Sequence, residues 1–257
     1  MDFRIFKPQG VLRDHVQGIW SLSVPPDRVG EEKKLLFSDA GSGIMFNLAG
    51  EVCFGNHCHP EGVMIMPNSK EAQYVILPPG TVQAGIRFHP GMGYSVLGKR
   101  FDHPVSIADE PEQLSFLAPL QQQLLHCLGH QARIATMYRW MTHHLETDDS
   151  APHAITEIVK AVQPHSRHQP IPVSPRQIER HFQKWMGMTP KYYQRILRVK
   201  QSLELIQRSP DIPLADVAAE QGFADQAHMT REFSHIAKIT PKQYSLLVKK
   251  KKQVQGR

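Results

Sequence analysis

Cysteine is scarce in this chain: three residues in 257, Cys53, Cys58 and Cys127, an odd number at unrelated spacings. A disulfide framework is therefore not expected, and a reducing cytosol is the compartment that fits. Long apolar runs are missing as well. No segment approaches ~18 uninterrupted apolar residues, and Met1 to Pro8 shows no basic stretch ahead of an apolar core, so a cytoplasmic chain with no membrane partner is expected. There is no phosphate-cradling glycine loop, no nucleophile elbow and no HExxH pair. Nothing in the chain points to catalysis or a cofactor, and the expectation is a protein that is not an enzyme. What is present, 40% hydrophobic and 21% charged side chains, is the composition of a folded chain with one large or two medium domains.

Charge is placed unevenly. Residues 151–257 hold 18 Lys and Arg against 8 Asp and Glu, a net of +10, whereas residues 1–150 hold 12 against 16, a net of −4. A basic half of this kind meets a polyanion, with double-stranded DNA the leading candidate and a solvated face without a partner the plain alternative.

From Val11 to about Phe101, short apolar runs alternate with turn formers such as Gly41-Ser42-Gly43, Gly55-Asn56, Pro67-Asn68 and Pro78-Pro79-Gly80. That rhythm predicts strands, among them 44–48, 62–66 and 82–88, in a small β-barrel or sandwich. Leu114, Leu117, Leu120, Leu124, Leu125 and Leu128, then Ile134, Met137, Tyr138, Met141 and Leu145, recur at helical steps and predict two antiparallel helices, as a cap or as the seam of a homodimer. The polar stretch 147–152, closed by Pro152, is the candidate boundary. The expected fold class is α+β: a β-rich domain at 1–110, linker or dimerisation helices at 111–146, an all-α domain at 153–247 and a basic, frayed tail at 248–257.

One internal repeat carries the functional reading. Ser174, Ile178, Arg180, Phe182, Thr189, Pro190, Lys191 and Tyr193 recur 51 residues later as Asp225, Met229, Arg231, Phe233, Thr240, Pro241, Lys242 and Tyr244. Ser174 and Asp225 suit helix N-caps; Ile178, Phe182 and Trp185, or Met229, Phe233 and Ile236, form a buried stripe. The opposite faces are polar. The first presents Arg176, Gln177, Glu179, Arg180, Gln183 and Lys184; the second Gln226, Ala227, His228, Thr230, Arg231 and His235. With Ser174 these are the candidate DNA-contacting residues, because their donors and acceptors are of the kinds that read base edges and grip phosphates. Ahead of the second copy, Leu214, Val217 and Ala218, then Gly222, complete a helix-turn-helix layout.

The run from Pro213 through Phe233, with Ile239-Thr240-Pro241-Lys242-Gln243-Tyr244 after it, resembles the C-terminal signature of the AraC/XylS family of transcription regulators. Val173 to Tyr193 resembles that family's first recognition helix and linker. The resemblance covers about residues 153–247 and implies two helix-turn-helix units joined by a long helix, reading successive major-groove segments, with RNA polymerase as a partner. A weaker likeness at Arg87 to Gly93 implies a cupin-like first half with a small-molecule effector. From Lys191 to Gln207 the chain offers a spacer of 17 residues, about 25 Å long. One departure stands out: where the first unit's positioning helix should lie, at 163–170, the sequence has two prolines and no apolar period.

Two other readings have a residue basis. His57-Cys58-His59, with Cys53, Glu61 and His89, could make a metal site and a cupin-like enzyme, though the spacing is not that of a known zinc site and a polar loop explains it as well. A non-specific nucleic-acid module would satisfy the charge but not the chemical variety of the two polar faces.

Overall fold

The computed structural model describes residues 1–144, 150–163 and 172–255. Its first half contains ten strands: β1 Asp2–Phe6, β2 Val16–Ser23, β3 Glu32–Leu36, β4 Gly43–Ala49, β5 Val52–Phe54, β6 His57–His59, β7 Gly62–Met66, β8 Gln73–Leu77, β9 Val82–Phe88 and β10 Val105–Ser106. They form two antiparallel sheets, ordered β1-β2-β9-β4-β7-β10 and β3-β8-β5-β6. The three strands expected from the sequence are β4, β7 and β9. Leu22 from the larger sheet packs with Val52, Val75 and Leu77 from the smaller, so the two sheets face each other as a sandwich.

Ten helices follow or interleave: α1 Met92–Leu97, α2 Pro111–Leu114, α3 Ala118–Leu125, α4 Gly129–His144, α5 Ser150–Val162, α6 Pro175–Met186, α7 Pro190–Arg208, α8 Leu214–Glu220, α9 Gln226–Ala237 and α10 Pro241–Gln255. Helices α3 and α4 lie on the larger sheet, against β4 and β7 and against β1, β2 and β9. Covered on both faces, β4 is buried from Gly43 to Leu48, which is why it reads as an apolar run rather than an alternation. The hydrophobic core is continuous across the chain: one cluster holds Ile19, Phe46 and Phe88 of the sheet, Leu117, Leu124 and Met141 beside it, and Phe182, Tyr193 and Phe233 of the helical half.

Four expectations are corrected or fall outside what is described. The leucine run is not one helix: α2, a 3-10 turn at Ser115–Leu117 and α3 share it, and Leu128, 93% exposed just before the left-handed Gly129, lies off the stripe. Cys53 and Cys58 are joined in a disulfide, so only Cys127 is free among the described residues. The tail is not frayed. Helix α10 continues to Gln255, Val248 is buried on it, Lys249 pairs with Asp211 at 2.7 Å, and Lys252 donates to the Arg208 carbonyl. Of the boundary at 147–152, residues 150–152 begin α5 and the others lie outside the described residues, as do Leu145 and most of the stretch 163–170.

The second repeat unit shows how local chemistry fixes the fold. Val217 and Ala218 bury the short α8 against α9, Gly222 turns the chain at φ +70°, and Asp225 accepts from the His228 amide to start α9. Met229, Phe233 and Ile236 then point inward, each no more than 1% exposed. Replacing Phe233 by alanine should cost about 3–5 kcal/mol, and replacing Asp225 by alanine about 1 kcal/mol. Urea unfolding at unchanged slope checks the ranking, which fails if the cap substitution is the more damaging.

Candidate nucleic-acid interface

Helices α6 and α9 are matched elements, each of twelve residues, each opened by a side-chain cap. Ser174 makes a reciprocal capping box with Gln177: its hydroxyl accepts from the Gln177 amide, and the Gln177 side chain accepts from the Ser174 amide at 2.9 Å. Phe182 and Trp185 are buried on α6, and Phe182 lies 5.6 Å from the Tyr193 ring on α7. Burial pushes the Tyr193 phenol up to about 12. The spacer α7 runs 19 residues, about 28 Å, starts from the Thr189 cap, and packs on α6, α8, α9 and α10. Glu232 of α9 binds Arg195 of α7; burial would raise the Glu232 carboxyl, but the Arg195 guanidinium outweighs it and keeps Glu232 ionised below its usual range.

The polar faces stay outside. Arg176, Glu179, Arg180 and Gln183 on α6 and Gln226, Ala227 and Arg231 on α9 are exposed, and among the described residues Arg176, Arg180 and Arg231 have no acidic partner. Other candidates are engaged within the fold. The His228 ring accepts from the Ala224 amide and lies edge-on to Phe223; Thr230 donates to the Gln226 carbonyl. Lys184 sits over the Tyr94 ring at 5.2 Å, and His235 approaches Glu71 at 3.3 Å. Ser174 and Gln177 serve the cap. The structure thus brings all thirteen residues onto two helices while leaving seven of them with freely presented side chains.

The sequence reading missed that the β-domain reaches both helices. Asn68 donates to the Trp185 carbonyl at the end of α6, and the Ala72 amide donates to the Ile236 carbonyl at the end of α9, at 2.7 Å. Arg100 donates to the Gln183 carbonyl, and Gly91, at φ +83°, lets its backbone lie against Ile155 of α5, where a side chain would come within 2.8 Å. The loop is held by Arg87, which pairs with Asp39 and donates to the Ser69 hydroxyl at 3.0 Å. Pro67-Asn68 signalled only a turn.

The metal alternative divides across the pleat. Cys53 faces Cys58, whereas Val52 faces His59 and Phe54 faces His57, so the histidines stand on the side opposite the sulfurs. Glu51 lies near the sulfurs, which the disulfide engages. His89 bonds to the Arg13 carbonyl instead.

Two capped helices on a common spacer, the second behind the short α8 and a glycine turn, have the layout of helix-turn-helix units, and residues 171–246 match the helix-turn-helix domain family. That domain is of the AraC type, so the chain carries an AraC-type DNA-binding domain behind a β-sheet first half. No curated protein sequence matches it. Solved structures similar to it include ToxT from Vibrio cholerae O395, 9% identical with a TM-score of 0.45 over 90% of this chain and 96% of that one. An unsaturated fatty acid bound ToxT from Vibrio cholerae strain SCE256 is 12% identical, with a TM-score of 0.39 over 85% and 95% of the two chains. The AraC-like transcriptional activator CuxR is 10% identical, with a TM-score of 0.25 over 99% and 86%. At such distances the classification rests on the helix-turn-helix match. Among the described residues no helix is long and apolar enough to cross a membrane.

Burial would raise the Asp39 carboxyl, but Arg87 and the Gly41 amide outweigh it and hold it below the ordinary 3.8. A carboxyl depressed by folding contributes stability that is complete above its unfolded pKa and is lost as pH falls through the lower, folded value. Asp39→Asn should therefore lower stability by about 1.5–3 kcal/mol at pH 7, with the deficit shrinking below about pH 4. Melting curves of both proteins from pH 7 to pH 2.5 test this; a pH-independent deficit would contradict the assignment.

Proposed function

We propose that the protein is a sequence-specific regulator that grips one duplex with two recognition helices, α6 and α9, set in successive major-groove segments. The observation that carries this reading is the pairing of two capped, twelve-residue helices that bury the same stripe and leave arginines exposed, on a common spacer. Arg176, Arg180 and Arg231 are the candidates for guanine, Gln226 for adenine and Glu179 for cytosine. Lys184 and His235, tied to the β-domain, belong to the edges of the interface. The division into a β-rich regulatory domain at 1–110, helices at 111–146 and a DNA-binding domain at 153–247 is part of the same proposal.

The regulatory half is assigned to effector sensing or self-association, with promoter-bound RNA polymerase as the downstream partner and the cytoplasm as the setting. Two features support it. A groove of about 540 Å³ between β1 and α4 has apolar walls from Phe6, Ile134, Ala135 and Tyr138, with Arg4 and Arg139 at its border, a fit for a small-molecule effector. Beside it, the edge strand β1 exposes Phe3 and Ile5, a fit for a second copy of the chain.

Selection from random duplexes should return a motif of two half-sites. Arg231→Ala should then relax discrimination at one position by about 1–3 kcal/mol, while a lysine change on α10 weakens all duplexes alike and lowers the salt dependence. Enrichment of no motif, with equal affinity for every sequence, would remove specific readout.

A further inference from the structure

We infer that the loop Pro67–Ala72 is a brace that fixes the two recognition helices relative to each other, with Asn68 and Glu71 as its positioning residues; the inference rests on the two-helix reading above. The loop carries the chain from β7 in the larger sheet to β8 in the smaller, and within six residues it contacts the last turn of both helices. On one side the Asn68 amide donates to the Trp185 carbonyl of α6 at 3.2 Å. On the other the Ala72 amide donates to the Ile236 carbonyl of α9 at 2.7 Å, and Glu71 pairs with Lys238 and with His235.

These contacts answer needs of the helices themselves. A helix ends in carbonyls without intrahelical donors, and both recognition helices have one of theirs satisfied by this loop. Glu71 brings a carboxylate to the negative end of α9, which is unfavourable alone. Lys238, at φ +55° in the cap position, offsets it, and the His235 ring lies 3.3 Å from the same carboxylate. Burial and the Glu71 carboxylate also push the Tyr192 phenol of the spacer upward.

The middle of the loop is fixed to the sandwich. The Ser38 hydroxyl donates to the Ser69 carbonyl at 2.8 Å, the Ser69 amide donates to the Gly41 carbonyl at 3.0 Å, and Arg87 reaches the Ser69 hydroxyl. A segment so anchored at its centre and bonded outward on both sides acts as a strut. It leaves the reading faces open, since Arg176, Arg180, Gln226 and Arg231 remain exposed. A mask over the DNA surface would have covered them.

Two binding modules on one frame gain affinity through the effective concentration that the frame imposes, and lose it when the frame loosens. The double variant Asn68→Ala, Glu71→Ala is therefore expected to bind a selected two-half-site duplex about tenfold more weakly, to bind a duplex with one half-site scrambled as tightly as the parent, and to tolerate one or two inserted base pairs between half-sites better than the parent. Glu71→Lys combined with Lys238→Glu should restore part of the loss. Without DNA, spin labels at Glu179→Cys and Arg231→Cys, with Cys127→Ser, should give a broader distance distribution when the brace residues are alanine. An unchanged distribution overturns the brace, as does equal loss on both duplexes, unchanged spacing preference or tighter two-site binding. Failure of the parent to select two half-sites overturns the two-helix reading instead, and the label distances still decide whether the strut exists.

Discussion

Arg87 is the joint on which the arrangement of the two halves depends. Its guanidinium is held by Asp39 and in turn holds Ser69, so a strand at the centre of the larger sheet reaches through one side chain to a loop that touches both α6 and α9. Neither partner is deeply hidden, the two side chains being 25% and 21% exposed. The pair is thus close to water yet oriented by backbone on both sides, a setting in which a charge-assisted, bidentate contact supplies direction more than bulk stability. Around it the core runs unbroken from sheet to helices, so the relative placement of the β-sheet and helical halves is a packing property as well as a polar one.

The helical half was largely legible in the sequence because the rules that shape it are local. Ser174 and Asp225 sit where caps must sit, Phe182 and Phe233 fall on a 3.6-residue period, and the 51-residue offset aligns one unit with the other. The candidate site followed from the same pattern, since residues opposite a buried stripe are outward by construction. Exposure could be read in this way, but engagement could not. That Gln177 closes a capping box, that His228 accepts an amide and that His235 meets Glu71 depend on rotamers and neighbours that no periodicity encodes.

What was illegible depends on long-range meetings. Asn68 and Trp185 are 117 residues apart, and nothing in Pro67-Asn68 beyond a turn announces a helix end across the molecule. The Cys53–Cys58 bond is a different case. Gly55-Asn56 was recognisable as a hairpin turn, and two residues equidistant from it must face each other across the strands, so the pairing was within reach once the turn was taken seriously. The tail erred through composition: four lysines in succession suggest solvation, yet Val248, one turn beyond Tyr244, continues the apolar side and carries the helix onward.

The shortness of the loop between the two helix ends has a consequence for the duplex. Four residues from Asn68 to Ala72 span at most about 14 Å of extended chain, and with the side chain and two hydrogen bonds added the terminal carbonyls of α6 and α9 lie no farther apart than about 25 Å. Major-groove segments on one side of straight B-form DNA repeat every ~34 Å. Helices that ran parallel from those ends would fall short of the repeat, and a double helix engaged by both would have to curve toward the protein. Steps that bend easily, pyrimidine followed by purine, would then be favoured between the half-sites although no side chain touches them.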